Sequence, residues 1–313
     1  METHLYFKDW DPLVAKHRPY LISFTFRMTG SLAEAEDVVQ DVFIEAAKTD
    51  PASIESHKSW LTKICSNRAL DLLKSSYKKR ETYSGTWLPD AIPDSLQNWD
   101  KSWVDSSLEE NLLLSESLTT SFLLLLERLN PEERAVYLLS EIFEYPFKEI
   151  AEFINKSEAA CRKIAQRSRE FVTENRKRFE IGPDTNPTKI ISNFFEIARS
   201  GNTQALSDLL SESSEFWSDG GGKIAAVPHV LYAPFEIARF FAGIYSSRVK
   251  PPYEMKMEQH PVSGRPGVVI SKKLPTGEWC FETVMSFEFE NGKIARIYSQ
   301  RNPDKLSRLT NHA

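Results

Sequence analysis

Arg162, Lys163, Gln166 and Arg167 place four hydrogen-bonding side chains within six residues, and their types suit one kind of chemistry. Arginine can donate two parallel hydrogen bonds to guanine, and glutamine can exchange two with adenine. Each good pair is worth about 1–3 kcal/mol of discrimination. Arg169, Arg176, Lys177 and Arg178 follow and suit phosphates, contacts that position a protein on DNA without specifying sequence. Lys58, Lys63, Asn67, Arg68, Lys74 and Lys78 make a second polar series that could take both phosphates and exposed bases. Other chemistries are less well supported. Asp219-Gly220-Gly221-Gly222-Lys223 sets three of the chain's 12 glycines in a row. It lacks the Gly-x-x-x-x-Gly-Lys-Ser/Thr spacing of a phosphate loop, and Ile224 and Ala225 follow the lysine instead of a hydroxyl residue. Asp219, His229, Tyr232, His260 and Tyr298 could act as acids, bases or oxyanion donors in a cavity, but they form no paired constellation. Cys65, Cys161 and Cys280 are far apart and odd in number, so neither a disulfide framework nor a zinc site is indicated. No metal and no cofactor is expected.

Charge sharpens the pattern. The chain of 313 residues has a net charge of −5, which taken alone argues against a nucleic-acid binder. The average conceals opposed segments. Residues 31–50 carry six acids against Lys48, whereas residues 58–80 carry seven bases against Asp71 and residues 156–178 carry eight bases against three acids. Two basic segments separated by neutral or acidic sequence suggest two nucleic-acid contacts, although solvated helix faces produce charge runs too. At 41% hydrophobic and 27% charged the chain reads as globular, and its length suggests two or three domains. No apolar run is long enough to cross a bilayer, and "METHLYFKDW" lacks a signal-peptide pattern, so a reducing cytoplasm with no membrane contact is expected.

The elements that must carry these residues follow from periodicity. From Ser31, a predicted N-cap, Leu32, Ala35, Val38, Val39, Val42, Phe43 and Ala46 recur at helical spacing, leaving Glu34, Asp37, Asp41 and Glu45 as an acidic stripe. A helix opening near Lys58 turns Leu61, Ile64, Cys65, Ala69, Leu72 and Leu73 inward and its basic residues outward; Trp60 reads as core. Residues 81–107 break the period with prolines and three tryptophans, Trp87, Trp99 and Trp103. They read as a linker that packs on something. In "LNPEERAVYLLSEIF", Asn130 caps, Pro131 opens the helix and Glu133 can close a capping box. A helix over 147–154, a turn at Asn155–Lys156 and a helix capped by Ser157 then give a helix-turn-helix whose second member is basic outside. After 186, helices at about 188–200, 203–210 and 234–247 precede a β pattern from Tyr253, with turns at Ser263–Gly264, Thr276–Gly277 and Asn291–Gly292. Helices followed by a curled antiparallel sheet give an α+β domain able to wrap a pocket.

In order, "GSLAEAEDVVQDVFIEAAK", "KSWLTKICSNRALDLLKSSYKKR" and "LERLNPEERAVYLLSEIFEYPFKEIAEFINKSEAACRKIAQRSRE" resemble regions 2.2, 2.3–2.4 and 4 of extracytoplasmic-function sigma factors, the minimal promoter-recognition subunits of bacterial RNA polymerase. The last block resembles the SnoaL-like branch of the NTF2-like fold, which one sigma group carries C-terminally with motifs near "WLPEP", "DGGGK" and "NPDKL". Here they read Trp87-Leu88-Pro89-Asp90-Ala91, Asp219 to Lys223, and Asn302-Pro303-Asp304-Lys305-Leu306; the first departs at its last two positions. The resemblance implies a multidomain chain: an all-α region 2 domain (1–80), a linker (81–107), a region 4 helix-turn-helix domain (108–180), a SnoaL-like domain with a curved antiparallel sheet (186–301) and a tail (302–313).

Its partners would be core RNA polymerase and promoter DNA, and the free protein is expected to be monomeric. Asp37, Gln40 and Asp41 would dock on the largest polymerase subunit. Lys58, Lys63, Asn67, Arg68, Lys74 and Lys78 would meet the −10 element, with loop 48–58 capturing a flipped base. Arg162, Lys163, Gln166, Arg167 and Arg169 would meet the −35 element. The three motifs would regulate the sigma domains in cis, with Asp219 and Lys223 bonding where the glycines permit close approach. The pocket leaves room for an unidentified small-molecule ligand. Because relatives of that fold include isomerases and cyclases, a pocket enzyme fused to a DNA-binding module is the alternative; without a catalytic constellation, a non-enzyme is expected.

Overall fold

The protein is described by a computed structural model covering residues 6–81, 83–96, 116–176, 185–246 and 253–311, with side chains to Ser75 in the third helix and to Leu309 at the C-terminal end. Two units form: residues 1–82 with 97–176, and residues 83–96 with 177–313.

The first unit is helical. Helix α1 (Phe7–Thr29) ends where Gly30 turns left-handed and its N–H bonds the Phe26 carbonyl. Helix α2 (Leu32–Ala46) starts at Ser31, whose hydroxyl accepts from the Glu34 N–H, and buries the predicted apolar stripe except Phe43, which is half-buried. Helix α3 (His57–Glu81) buries Leu61, Cys65, Ala69, Leu70 and Leu73. Helix α4 (Thr120–Leu126) precedes α5 (Pro131–Tyr137), which opens on the full capping box between Asn130 and Glu133 and runs into a π turn over Leu138–Ile142. Helices α6 (Phe147–Phe153) and α7 (Glu158–Asn175) are joined by a turn in which Asn155 is left-handed, with Ser157 capping α7. Arg134 on α5 ties the two helical blocks together: buried, it donates to the Met28 and Leu126 carbonyls and pairs with Glu127 at 2.7 Å.

In the second unit, α8 (Pro187–Ser200), α9 (Thr203–Asp208) and α10 (Pro234–Tyr245) accompany a six-stranded sheet: β1 (Leu210–Asp219), β2 (Leu231–Tyr232), β3 (Met255–Gln259), β4 (Gly267–Lys273), β5 (Trp279–Glu290) and β6 (Lys293–Gln300), with α11 (Pro303–Asn311) last. Phe194, Phe195, Phe216, Phe241, Phe287 and Phe289 fill the core between helices and sheet. The strand order is β2-β1-β6-β5-β4-β3, and one pairing corrects the expected antiparallel sheet: β1 runs parallel to β6, so the sheet is mixed. Hairpin turns specify only the consecutive pairs β3 to β6. Strand β1 reaches β6 after a long excursion through α10, and such a crossover allows parallel pairing. Helix α9 stops two residues short of expectation because Leu210 is already buried in β1. The Asn291–Gly292 turn has positive φ at both residues, as a type I′ hairpin requires.

Residues 83–96, read from sequence as part of the linker, lie in this second unit. The Ile92 carbonyl accepts from the Ser263 N–H at 2.8 Å, the Asp94 N–H donates to the Pro261 carbonyl at 3.0 Å, and Pro93 bridges to Val262. Trp99 and Trp103 lie outside the described residues.

Candidate functional site

Helix α7 presents one continuous polar face. Cys161, Ile164, Ala165, Ser168 and Val172 are buried, which leaves Arg162, Lys163, Gln166 and Arg167 exposed together on the opposite side. Three of them are held by neighbours. Arg162 pairs with Glu158 at 2.5 Å and lies over the Phe147 ring, Gln166 donates to Glu170 at 2.9 Å, and Arg167 approaches Glu133 at 3.8 Å. These are exposed pairs of low strength that DNA can replace. Arg169 is held more firmly: its Nε and one Nη donate to the two Glu141 oxygens at 2.9 and 2.7 Å, a bidentate grip that aims it at the protein. Arg176 pairs with Glu116 and covers the Phe122 ring. Lys177 and Arg178 lie outside the described residues.

On α2, Asp37, Gln40 and Asp41 are exposed beside buried Val38, Val39 and Val42. On α3, Lys63, Asn67, Arg68 and Lys74 are exposed. Asn67 donates to the Lys63 carbonyl, and Arg68 lies 3.9 Å from Glu45. The Lys78 side chain lies outside the described residues. In the loop before α3, Asp50 accepts from the Ala52 N–H and starts a short 3₁₀ turn over Pro51–Ser53; Ala52, Ser53, Glu55 and Ser56 are exposed. Trp60 is half-buried and stacks on Trp10 with ring centres 5.7 Å apart.

The first turn of α3 is engaged by the segment leading into the helix-turn-helix and by α6. Ser59 donates to Glu149 at 2.5 Å. The Tyr145 hydroxyl sits 2.9 Å from that of Tyr20 and 3.0 Å from that of Thr62. Lys58 lies over the rings of Tyr20 and Tyr145, and burial lowers its pKa against the pull of Glu149. Tyr145 and Glu149 carry no motif signal, and sequence reading did not find them.

In the second unit, the three motifs meet at a single carboxylate. Asp219 ends β1 and is fully buried. Its Oδ1 accepts from the Tyr83 hydroxyl at 2.6 Å and the Gly221 N–H at 2.9 Å; its Oδ2 accepts from the Leu88 N–H at 3.2 Å and Lys305 Nζ at 3.0 Å. Lys305 also donates to the Leu88 carbonyl, lies 3.6 Å from Asp90 and covers the Trp87 ring at 4.8 Å. Asn302 donates to the Tyr83 hydroxyl at 2.9 Å and caps α11 by accepting from the Asp304 N–H. Gln300 reaches the Pro89 carbonyl at 3.4 Å. Leu88 and Leu306 are buried, Pro303 opens α11, and exposed Lys223 pairs with Asp304 at 2.6 Å.

The glycines are required by this packing. A Cβ on Gly221 would stand 2.5 Å from Asn302 Cγ, and one on Gly222 would stand 2.8 Å from Ser84 Cβ, both at positive φ. One on Gly220 would stand 2.6 Å from the Ile224 carbonyl oxygen. Burial and the bond to Asp219 raise the pKa of Tyr83, so the hydroxyl keeps the proton it donates. Tyr83 itself gave no spacing signal in the sequence.

The proposed acid–base set does not converge. His229, Tyr232 and His260 are exposed, Asp219 is consumed by the cluster, and buried Tyr298 bonds Arg296 and Glu288 on β6 and β5. None of the five lines the cavity of this unit. Among the described residues, no group of acids, histidines and cysteines could hold a metal, and no helix is long and apolar enough to cross a membrane.

Comparison with known proteins accounts for this arrangement. The Sigma-70 region 2 family matches residues 13–79 and the Sigma-70 region 4 family matches residues 119–172. The ECF RNA polymerase sigma factor SigJ of Mycobacterium tuberculosis is 27% identical over 297 residues, covering 93% of this chain and 91% of that protein. The probable ECF RNA polymerase sigma factor SigI of the same species is 27% identical over 307 residues, covering 96% of each. The crystal structure of SigJ superposes with a TM-score of 0.65 at 24% identity over 93% of this chain and 95% of that one. Over nearly its whole length the chain is similar to extracytoplasmic-function RNA polymerase sigma factors, with matches to Sigma-70 regions 2 and 4 in its helical unit and a SnoaL-like domain after them.

Proposed function

We propose that the SnoaL-like domain controls this sigma factor in cis by holding the segment that connects regions 2 and 4, and that it acts as a binding module and not as an enzyme. In the working complex, Asp37, Gln40 and Asp41 dock on core polymerase. Lys63, Asn67, Arg68 and Lys74, joined by Lys58 once it leaves Tyr20 and Tyr145, meet the −10 element. Arg162, Lys163, Gln166 and Arg167 meet the −35 element. Arg169, held by Glu141, contributes to DNA binding only after exchanging that partner for a phosphate. The work is cytoplasmic, where polymerase and promoter are.

The observation that carries the cis reading is the Asp219 cluster. The Trp87-Leu88-Pro89 motif belongs, by its place in the chain, to the connector between the two promoter-reading regions, yet its Leu88 amide, its Leu88 carbonyl and the neighbouring Tyr83 hydroxyl are bonded by Asp219, Lys305 and Asn302. A connector held there has fewer conformations through which to adjust the spacing of the two regions. Asp219→Ala removes the acceptor of four donors, each costing about 1–3 kcal/mol when left buried and unmatched. Transcription with purified core polymerase from a promoter carrying both elements should change several-fold with Asp219→Ala, and in the same direction when residues after about 300 are removed. Unchanged output from both variants would disprove control through this cluster.

A further inference from the structure

The SnoaL-like domain has an open cavity of about 460 Å³ between the sheet, α10 and the 225–228 loop. This lies within the range of about 300–1,000 Å³ usual for small-molecule sites. Its walls carry both apolar and polar groups. Phe216, Phe240, Phe241, Tyr245, Ile270 and Met285 supply aromatic and aliphatic surface. Ser218, Thr283 and Ser299 line it as well, Ser218 beside Ser299 across the β1–β6 pair, so hydroxyls face the cavity next to Arg301. A mostly apolar pocket with a few polar groups on its wall is the usual form of a small-molecule site.

Charge defines what such a ligand carries. Glu282 accepts from Tyr253 at 3.1 Å, from Arg301 at 3.1 Å and from Lys272 at 2.6 Å. Burial works against ionising Glu282, but the hydrogen bonds from Lys272 and Tyr253 and the Arg301 charge outweigh it and hold its carboxyl below the usual range. Two cations therefore share one anion, leaving one positive charge in this group. Arg301 is the group free to exchange: its other Nη donates to the Ala225 carbonyl at 2.6 Å, a neutral acceptor that a carboxylate would replace with a charge-assisted bond.

We propose that this cavity binds a small amphipathic carboxylic acid, its apolar body against Phe216, Phe240 and Phe241 and its carboxylate on Arg301 and the three hydroxyls. The strands give such a ligand a path to the connector. On β1, Phe216 and Ser218 face the cavity while Asp219 faces the other side of the sheet. Ser299 on β6 and Arg301 just past its end line the cavity, while Gln300 between them reaches Pro89. Ser218 pairs with Ser299 and Asp219 with Gln300, and the Arg301 N–H donates to the Asp219 carbonyl at 2.8 Å. A shift of Arg301 toward a ligand pulls on the backbone of the residue that holds Tyr83, Leu88 and Lys305. This regulatory consequence rests on the cis reading above; binding does not.

Calorimetric titration of the full-length protein with 2-naphthoate and decanoate, and with 2-naphthamide as the uncharged counterpart, tests the site. At least one carboxylate should bind with a Kd below 1 mM, the order of magnitude of a weak specific ligand, and 2-naphthamide should bind at least about 10-fold more weakly than 2-naphthoate, a 1.4 kcal/mol difference. Arg301→Gln should remove that preference for charge. Ile244→Trp, at an exposed position on the cavity wall, should weaken acid and amide together while leaving the unfolding temperature near wild type. No binding of either carboxylate, or equal binding of 2-naphthoate to wild type and a folded Arg301→Gln, overturns the proposal. Binding with these preferences, alongside transcription unaffected by Asp219→Ala, supports the site and removes the cis reading.

Discussion

Asp219 is fully buried, and its carboxylate is matched by four donors drawn from three separated segments of the chain. A buried carboxylate–ammonium pair adds little net stability against an apolar replacement, but removing one partner strands the other at about 3–5 kcal/mol. The glycine run is the steric complement of this electrostatic demand, because Gly221 must present its N–H to Asp219 while its Cα faces Asn302. A contrast between two glycines isolates the effect. Gly221→Ala places a methyl 2.5 Å from Asn302 Cγ at a φ of +66°, whereas Gly277→Ala meets nothing within 4 Å at a φ of +91°. Both variants bear the left-handed strain of about 1 kcal/mol, and only Gly221→Ala adds an overlap of about 1–3 kcal/mol. At roughly 2–4 °C per kcal/mol for a unit of this size, Gly221→Ala should unfold several degrees below Gly277→Ala in a thermal scan. Equal midpoints would mean that the run is not fixed by contact with Asn302.

At the scale of elements, α3 has two calls on its first turn. Promoter melting would use Lys58 and the hydroxyls near it, but in this structure Ser59 is bound by Glu149, Thr62 by Tyr145, and Lys58 by two aromatic rings. If α3 meets the −10 element as proposed, the helix-turn-helix segment competes with DNA for the start of that helix. Periodicity made α2, α3, α6 and α7 legible, down to the caps at Ser31, Asn130 and Ser157, since caps and apolar stripes are local properties. The engagement of α3 was not legible, because Tyr145 and Glu149 lie more than 80 residues from Thr62 and Ser59 and neither belongs to a repeating pattern. The parallel β1–β6 pair was hidden for the same reason. If the engagement restrains activity, Glu149→Ala, which removes a charged hydrogen bond worth about 1.5–3 kcal/mol, should favour release of α3 by at least about 10-fold. Transcription from a −10-dependent promoter should rise with Glu149→Ala at unchanged core-polymerase affinity. A fall or no change would show that the contact is only structural.

Across the whole molecule, a net charge of −5 coexists with a promoter-reading function because residues 58–80 carry seven bases against one acid and residues 156–178 eight bases against three, while the remainder of the chain is acidic. The sequence therefore disclosed which helix faces are exposed and basic, and the motifs pointed to residues that meet around Asp219. It did not disclose that the motifs bond one another, nor that Glu282 and Arg301 place charge on the wall of a cavity, since both depend on strand register. If α7 meets the −35 element as proposed, its exposed face offers two kinds of DNA contact. Lys163 is exposed and suits a phosphate, so Lys163→Ala should weaken binding to all −35 sequences about equally and reduce the slope of log affinity against log salt by about 1. Gln166 has an amide whose present bond is to an exposed glutamate, a partner DNA can replace. Gln166→Ala should cost about 1–3 kcal/mol on the preferred promoter, leave the salt slope unchanged and relax selectivity at a single base pair. Binding isotherms on the full set of single-base −35 variants at several salt concentrations resolve both behaviours. If Gln166→Ala lowered affinity for every variant alike, the glutamine would be positioning the helix and the base reading would fall to Arg162 and Arg167.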